Sequence, residues 1–260
     1  MKLKEILTGI NDLKAKGNLD IDVNKITSDS RSVESGDMFV AIKGFDVDGH
    51  KFVKSAIDNG AKVVLINEDM AKDMLQYITP NVTLITAKDT REAIAICACN
   101  FYQNPSRKVK LIGVTGTKGK TTTTFMIKRI LEKQGIKTGL VGTIASYSGE
   151  KKLEDSDRTT PDSLKLQQLF STMYNDGCQA IVMEVSSQSL KLHRVDGCDF
   201  DIGIFTNFSE DHISEKEHPN MEDYFASKVM LFKMCKVGFI NADDVNTIRV
   251  PSIVKTCEFK

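Results

Sequence analysis

The chain has 260 residues, more than a usual single domain, and two domains are expected. Its 35 Lys and Arg balance 35 Asp and Glu, so no global field draws it to nucleic acid, although a local basic cleft stays open. No apolar run approaches the ~20 residues of a membrane span. The amphipathic start Met1-Lys2-Leu3-Lys4-Glu5 has no long apolar core of a signal peptide, so a soluble, cytoplasmic protein without membrane or nucleic-acid partners is expected.

Along the first block, Met38–Ile42, Lys62–Ile66 and Val82–Ile85 read as short buried strands, being apolar, β-branched and bounded by polar turns. Helical patterning falls at Lys51–Asn59 and Asp89–Tyr102, the latter opening on an N-cap aspartate with Glu92 three residues on. Cys97, Cys99, Cys178, Cys198, Cys235 and Cys257 show no Cys-x-x-Cys spacing and mostly lie in apolar stretches. Reduced thiols are expected rather than a zinc site or a disulfide framework.

A break falls near Asn104-Pro105-Ser106-Arg107. Beyond it come a strand at Val109–Thr115, a glycine-rich turn and a helix to about Lys133, then a strand at Lys137–Val141 and a helix at Ser163–Asn175. Strands at Ala180–Val185 and Ile202–Phe205, a helix at Met221–Met234 and a strand at Val237–Asn241 complete the pattern. The expected fold is therefore α/β: a small mixed domain over residues 1–103, then a mainly parallel, P-loop-type sheet over 108–260 with helices on both faces. Residues 254–260 read as a strand with no closing element, and a fragment of a longer chain is expected.

The strand Leu111–Thr115 runs into Gly116-Thr117-Lys118-Gly119-Lys120-Thr121-Thr122. Glycines let backbone N–H groups curl toward phosphate oxygens, and the helix that follows points its positive end at the same place. Lys120 would neutralise the β- and γ-phosphates of ATP, and the Thr121 hydroxyl would ligate Mg²⁺. The spacing is shorter than the eight-residue form of the motif. A glycine turn that merely packs is the competing reading, and the strand before and helix after argue against it.

Glu184 ends an apolar strand and should project at the carboxyl edge of the sheet, where a hard carboxylate suits Mg²⁺; a solvated strand-end acid is its alternative. His212 follows another strand, with a surface histidine as the alternative. Lys228 sits in Tyr224-Phe225-Ala226-Ser227-Lys228-Val229-Met230, where pattern alone favours a solvent-facing lysine on an amphipathic helix. Arg158-Thr159-Thr160-Pro161 offers two hydroxyls and a guanidinium before a helix, an anion site or an ordinary cap.

Taken in order, these segments resemble the Mur ligases, and among them the MurE type. The phosphate loop is similar to that family's, with Lys118 where Asn is commoner. Glu184-Val185-Ser186-Ser187-Gln188 resembles its Glu-Val-Ser-Ser-His segment, with Gln188 in place of His. Phe205-Thr206-Asn207-Phe208-Ser209-Glu210-Asp211-His212 and Met221–Lys228 resemble its Thr-Asn…Asp-His and carbamate-lysine segments. Thr27-Ser28-Asp29-Ser30-Arg31, Gly36–Ala41 and Gly44-Phe45-Asp46-Val47-Asp48-Gly49-His50 resemble a uridine-binding domain.

The resemblance implies an ATP-dependent ligase of peptidoglycan synthesis that adds L-lysine or meso-diaminopimelate, as the free amino acid, to UDP-N-acetylmuramoyl-L-alanyl-D-glutamate through an acyl phosphate. It implies ATP contacts from residues 116–122 and catalytic roles for Lys120, Glu184, His212 and Lys228. Metal ligands would be Thr121, Glu184, His212 and a CO₂-derived carbamate on Lys228. Substrate contacts would come from Ser30, Phe45, Asp46, Val47, Thr159, Thr160, Ser186 and Arg194; an Asp29–Arg31 ion pair and a surface His193–Arg194 pair are the structural alternatives. Gln188 cannot gain a charge near neutrality as histidine can, and Lys118 adds a cation beside the triphosphate. A monomer is expected. The family also carries a third domain, which is not recognised before Lys260. Two other readings remain: a folylpolyglutamate synthase-like ligase, disfavoured by the first block, and a nucleotide- or UDP-sugar-binding fragment without catalysis.

Overall fold

Short β-branched strands organise both parts of the chain in a computed structural model that describes residues 1–214 and 217–260. The chain divides into two units, Met1–Gln103 and Asn104–Lys260.

In the first unit α1 (Leu3–Ile6) and β1 (Lys14–Lys16) precede β2 (Ile26–Thr27), β3 (Met38–Val40), α2 (Val53–Asp58), β4 (Val63–Asn67), α3 (Ala71–Met74), β5 (Thr83–Ala87) and α4 (Thr90–Phe101). The sheet order is β1-β5-β4-β3-β2, parallel except for β1. Strands β3 to β5 are buried almost throughout, as continuous apolar runs under crossover helices require. The helix expected at Lys51–Asn59 instead starts at Val53, because a 3₁₀ turn capped by Asp48 covers Gly49–Phe52. At α4 the Asp89 carboxylate caps by accepting from the Arg91 N–H.

The second unit contains β6 (Lys110–Thr115), α5 (Lys120–Lys133), β7 (Thr138–Val141), β8 (Ala145–Ser148), β9 (Lys151–Asp155), α6 (Ser163–Asn175), β10 (Ala180–Glu184), α7 (Ser187–Lys191), β11 (Phe200–Phe205), α8 (Met221–Lys233), β12 (Cys235–Ile240), α9 (Val250–Ile253) and β13 (Glu258–Phe259). Its sheet runs β13-β12-β11-β6-β10-β7-β8-β9, parallel from β13 to β7 and antiparallel through the β8–β9 hairpin. The fold class is thus the expected α/β arrangement with parallel-dominated sheets.

The sequence pattern does not anticipate the hairpin, because its buried face carries Ser146 and Ser148 rather than alternating apolar residues. Residues 254–260, expected as one strand, hold only the two-residue β13. Helix α6 starts where expected, but Asp162 caps it, so Pro161 lies outside its first turn. All six cysteines are free and buried, and burial pushes the Cys97 thiol up to about 12. Among the described residues no helix is long and apolar enough to cross a membrane.

The strand order places the carboxyl ends of β6, β10 and β11 side by side, with β6 in the middle. Beneath them Phe205 is 1% exposed and stacks at 6.1 Å on Phe225 and 6.0 Å on Phe232, while Phe208 meets it edge-on at 6.4 Å. These rings tie the end of β11 to α8. Replacing Phe205 by Ala should cost about 3–5 kcal/mol, the usual range for emptying a buried aromatic site. A urea midpoint shifted down at unchanged slope would show it; a loss below about 1 kcal/mol would mean that the ring cluster does not hold these elements together.

Candidate functional site

Gly116 leaves β6 with φ +148°, and a Cβ there would lie 1.9 Å from Thr206 Oγ1, so the turn has no room for a side chain. Asn207, beyond β11, braces the loop: its carbonyl accepts from the Thr117 N–H at 2.9 Å and its Oδ1 from the Lys118 N–H at 3.0 Å. Those two donors therefore face protein. The donors that the loop offers outward are the backbone N–H groups of the first turn of α5, which have no acceptor within the helix.

Two lysines meet on the same carbonyl. Lys120, at the start of α5, donates to Gly116 O at 2.9 Å and Thr117 O at 3.0 Å. Lys228 donates to Gly116 O at 2.8 Å, and its Nζ lies 4.4 Å from the centre of the Tyr224 ring. The sequence pattern favours a solvent-facing Lys228, yet it is 1% exposed. Tyr224 and Lys228 are i, i+4 neighbours on one face of α8, while Phe225, Val229 and Phe232 line the core. The Tyr224 hydroxyl reaches Thr117 Oγ1 at 3.3 Å, so that face of α8 is bonded to the loop at two points.

Burial, and then the Lys120 charge, push the Lys228 ammonium down to about 6, against a smaller opposing pull from Asp211. Burial also lowers Lys120, with Glu184 and Asp211 opposing.

Glu184 ends β10 and is 1% exposed, which removes the reading of a solvated strand-end acid. Its Oε2 accepts from Thr121 Oγ1 at 3.0 Å and Thr143 Oγ1 at 3.1 Å, and its Oε1 from the Thr143 N–H at 2.8 Å. Gly142 lies so close that a Cβ on it would meet Glu184 Oε1 at 2.4 Å. Thr160 is fully buried; its hydroxyl donates to Glu184 O at 2.9 Å and accepts from the Ser186 N–H at 3.1 Å. The Thr159 and Thr143 hydroxyl oxygens lie 3.1 Å apart, with the Thr143 proton committed to Glu184, and Arg194 Nη1 donates to Thr160 O at 3.1 Å. Thr159, Thr160, Ser186 and Arg194 thus gather around the Glu184 strand end.

Arg158 does not join them. It is exposed, in a cleft it shares with Glu154, Asp155, Asp157 and Asp162, whose carboxylates disfavour the anion expected there. His212 adopts φ +56°, places Nδ1 3.1 Å from Glu217 Oε2, and meets the Tyr224 ring at 5.7 Å. Among the described residues no three His, Cys, Asp or Glu side chains form a group able to hold a metal ion. Thr122 and Lys118 are exposed, and Gly119, with φ +83°, forms the N-cap of α5. Gln188 is partly buried on α7.

In the first unit Ser30 is buried at the 3₁₀ turn Ser30–Ser32, and the Asp29–Arg31 ion pair is present at 2.8 Å. Phe45, Asp46 and Val47 form an exposed tip, Phe45 at 62% and Val47 at 55%.

Sequence reading missed several groups here. Thr143 could have been found as the hydroxyl after β7, at the same sheet edge as Glu184. Buried His218 could not, because it reads as one more histidine in a polar loop. It places Nε2 2.9 Å from Ser187 Oγ and Nδ1 2.6 Å from Asp223 Oδ2, which also accepts from Lys191 Nζ at 2.7 Å. This chain of bonds joins α7, next to Ser186, to the first turn of α8, which carries Lys228.

Two family models match the chain: the Mur ligase middle domain over residues 114–257 and the Mur ligase family catalytic domain over 22–102. The chain belongs to the Mur ligase family. Curated relatives in this family include the UDP-N-acetylmuramoyl-L-alanyl-D-glutamate--2,6-diaminopimelate ligases of Clostridium tetani, 49% identical over 94% of this chain, and of Caldanaerobacter subterraneus subsp. tengcongensis, 48% identical over 94%. Each match takes in 49% of the relative, so the chain spans about half the length of these Mur ligases. A solved structure of a ligase of the same name superposes with a TM-score of 0.80 at 25% identity, over all of this chain and 51% of that one. MurF from Thermotoga maritima, in complex with ADP, shares the fold with a TM-score of 0.57 at 20% identity, over 90% of this chain and 49% of that one.

Lys228 also sets a pH signature. It is neutral in the folded chain above about 6, whereas an unfolded lysine keeps its proton to 10.5. The unfolded chain therefore binds the extra proton across that window, and stability rises with pH by up to about 1.4 kcal/mol per unit. Urea unfolding of Lys228→Met in CO₂-free buffer should show a shallower rise than the parent between about pH 7 and 9. Equal slopes would mean that Lys228 is charged in the fold.

Proposed function

We propose that this chain is the nucleotide- and UDP-substrate-binding part of a ligase that uses ATP to join diaminopimelate to UDP-N-acetylmuramoyl-L-alanyl-D-glutamate. The observation that carries the reading is the meeting of Lys120 and buried Lys228 on the Gly116 carbonyl, beside the Thr121–Glu184 pair. Diaminopimelate is preferred over L-lysine because the named relatives act on it. Full turnover is assigned to a protein of the relatives' length.

In this reading the first turn of α5 and Lys120 take the triphosphate, and Gly116 to Thr122 wrap it. The γ-phosphoryl group passes to the D-glutamyl side-chain carboxylate, releasing ADP. The amino group then attacks the acyl carbon; an amide forms, phosphate leaves and the amine loses a proton. Lys120 offsets charge on the transferring phosphoryl group.

The donors present fit Mg²⁺, a hard cation that prefers oxygen ligands: the Thr121 hydroxyl and Glu184 carboxylate already face one another. Bound there, Mg²⁺ would neutralise phosphate oxygens. A second ion would draw on His212 and a carbamate of Lys228. A neutral amine is the form that adds CO₂, making an N–C bond and releasing one proton, and burial keeps Lys228 in that form. The Thr160 hydroxyl is taken up in supporting Glu184 and Ser186, so Thr159, Ser186 and Arg194 are assigned to substrate. In the first unit Ser30 and the Phe45-Asp46-Val47 tip are assigned to uracil.

Calorimetric titration with UDP-N-acetylmuramoyl-L-alanyl-D-glutamate, and separately with Mg²⁺-ATP, tests this. The parent chain should bind both. Lys120→Ala should weaken ATP at least about tenfold, roughly 1.4 kcal/mol, and leave the UDP ligand unchanged. ATP binding without UDP-ligand binding would point instead to a ligase of the folylpolyglutamate type.

A further inference from the structure

The first unit holds a buried histidine to which the reading above gives no part. His50 is 2% exposed, and both its ring nitrogens are engaged. Asp48 Oδ1 lies 2.6 Å from Nδ1 and also accepts from the His50 backbone N–H at 3.0 Å. On the other side Nε2 lies 3.0 Å from the backbone nitrogen of Asn67, the last residue of β4. A backbone N–H can only donate, so Nε2 must accept, and the ring proton therefore sits on Nδ1, directed at Asp48.

What this ring joins matters. Asp48 closes the turn that carries Phe45 and Val47: it pairs with Lys43 in an isolated bridge, while Gly44 N–H donates to Val47 O and Gly49 N–H to Ile42 O, both at 2.9 Å. Asn67 is itself fixed, accepting from Thr90 Oγ1 and donating to Lys88 O, each at 3.0 Å. A second tie reaches the far arm of the turn, where Arg91 Nη2 donates to Lys43 O at 2.9 Å. An exposed tip with two apolar side chains is thus anchored at both arms to the end of β4 and the start of α4.

We infer that His50 is a positioning residue for the candidate uracil loop: through Asp48 and Asn67 it clamps the Phe45–Val47 tip in its binding geometry. The inference rests on the proposed uridine role of that tip. A loop held before the ligand arrives loses less conformational freedom on binding, and affinity rises accordingly. The clamp needs a donor on one side and an acceptor on the other. Glutamine supplies both, from its amide nitrogen and oxygen. Leucine supplies neither and leaves the Asn67 N–H buried without a partner.

The test is calorimetric titration of the 260-residue chain with uridine diphosphate, for the parent, His50→Leu and His50→Gln, with ¹⁵N relaxation of residues 44–48 and ¹⁵N ring spectra of His50. His50→Leu should bind at least about tenfold more weakly, with the tip newly mobile and Mg²⁺-ATP binding unchanged; His50→Gln should recover to within about threefold of the parent. The parent ring should carry its proton on Nδ1. If His50→Leu does not fold, Asp48→Ala removes the same clamp from a partly exposed position and should weaken binding similarly. Parent-like binding by a folded His50→Leu or Asp48→Ala, or a ring proton on Nε2, overturns the role while the uridine reading stands. A parent that binds no uridine diphosphate overturns both.

Discussion

The carbonyl oxygen of Gly116 accepts from two lysines, and the candidate site takes its form from that constraint. Two ammonium groups on one oxygen, in a partly desolvated pocket, repel each other. Lys120 remains partly open to solvent at the start of α5, whereas Lys228 is enclosed, so the cheaper outcome is for Lys228 to lose its proton. A neutral amine behind the glycine-rich loop is chemically unlike the cation at its mouth. That difference underlies the proposed roles, in which Lys120 would hold phosphate and Lys228 would take up CO₂.

The rest of the second unit serves to keep that arrangement in place. Parallel strands β6, β10 and β11 end side by side, which brings the loop, Glu184 and the Thr206–Asn207 brace to one edge. Helix α8 is held against that edge from below by the Phe205 ring cluster and from the side by the Ser187–His218–Asp223 chain. For His218, burial lowers the pKa against the pull of Asp223, which favours the neutral ring that can accept from Ser187 on one nitrogen and donate to Asp223 on the other. Lysine burial of this kind needs a rigid surround, because a helix free to shift would return the amine to water.

Much of the framework is legible in the sequence, for physical reasons that also explain the gaps. Continuous apolar strands and a glycine turn before Lys-Thr specify β6, the loop and α5; Ser163–Asn175 is a helix in pattern and in structure. The β8–β9 hairpin hides because its inward residues are serines. Lys228 shows the deeper limit: amphipathic periodicity assigns a lysine to water, and what accounts for its burial is its tertiary bond to Gly116 O, with the ring of Tyr224 one turn back on the same helix beside it. Resemblance to the Mur ligases singles out Lys228 where periodicity does not. His218 and Thr143 escape both, since each bonds a group distant in sequence, Ser187 and Glu184 respectively.

The most direct measurement of this account is the protonation of Lys228 itself. ¹⁵N NMR of the chain labelled at lysine Nζ, assigned with Lys228→Met and titrated in CO₂-free buffer, reads that one amine. The account predicts that the Lys228 resonance titrates near 6. A Lys228 amine that keeps its proton up to the ordinary lysine value of 10.5 would contradict it and with it the division of labour between the two lysines on Gly116.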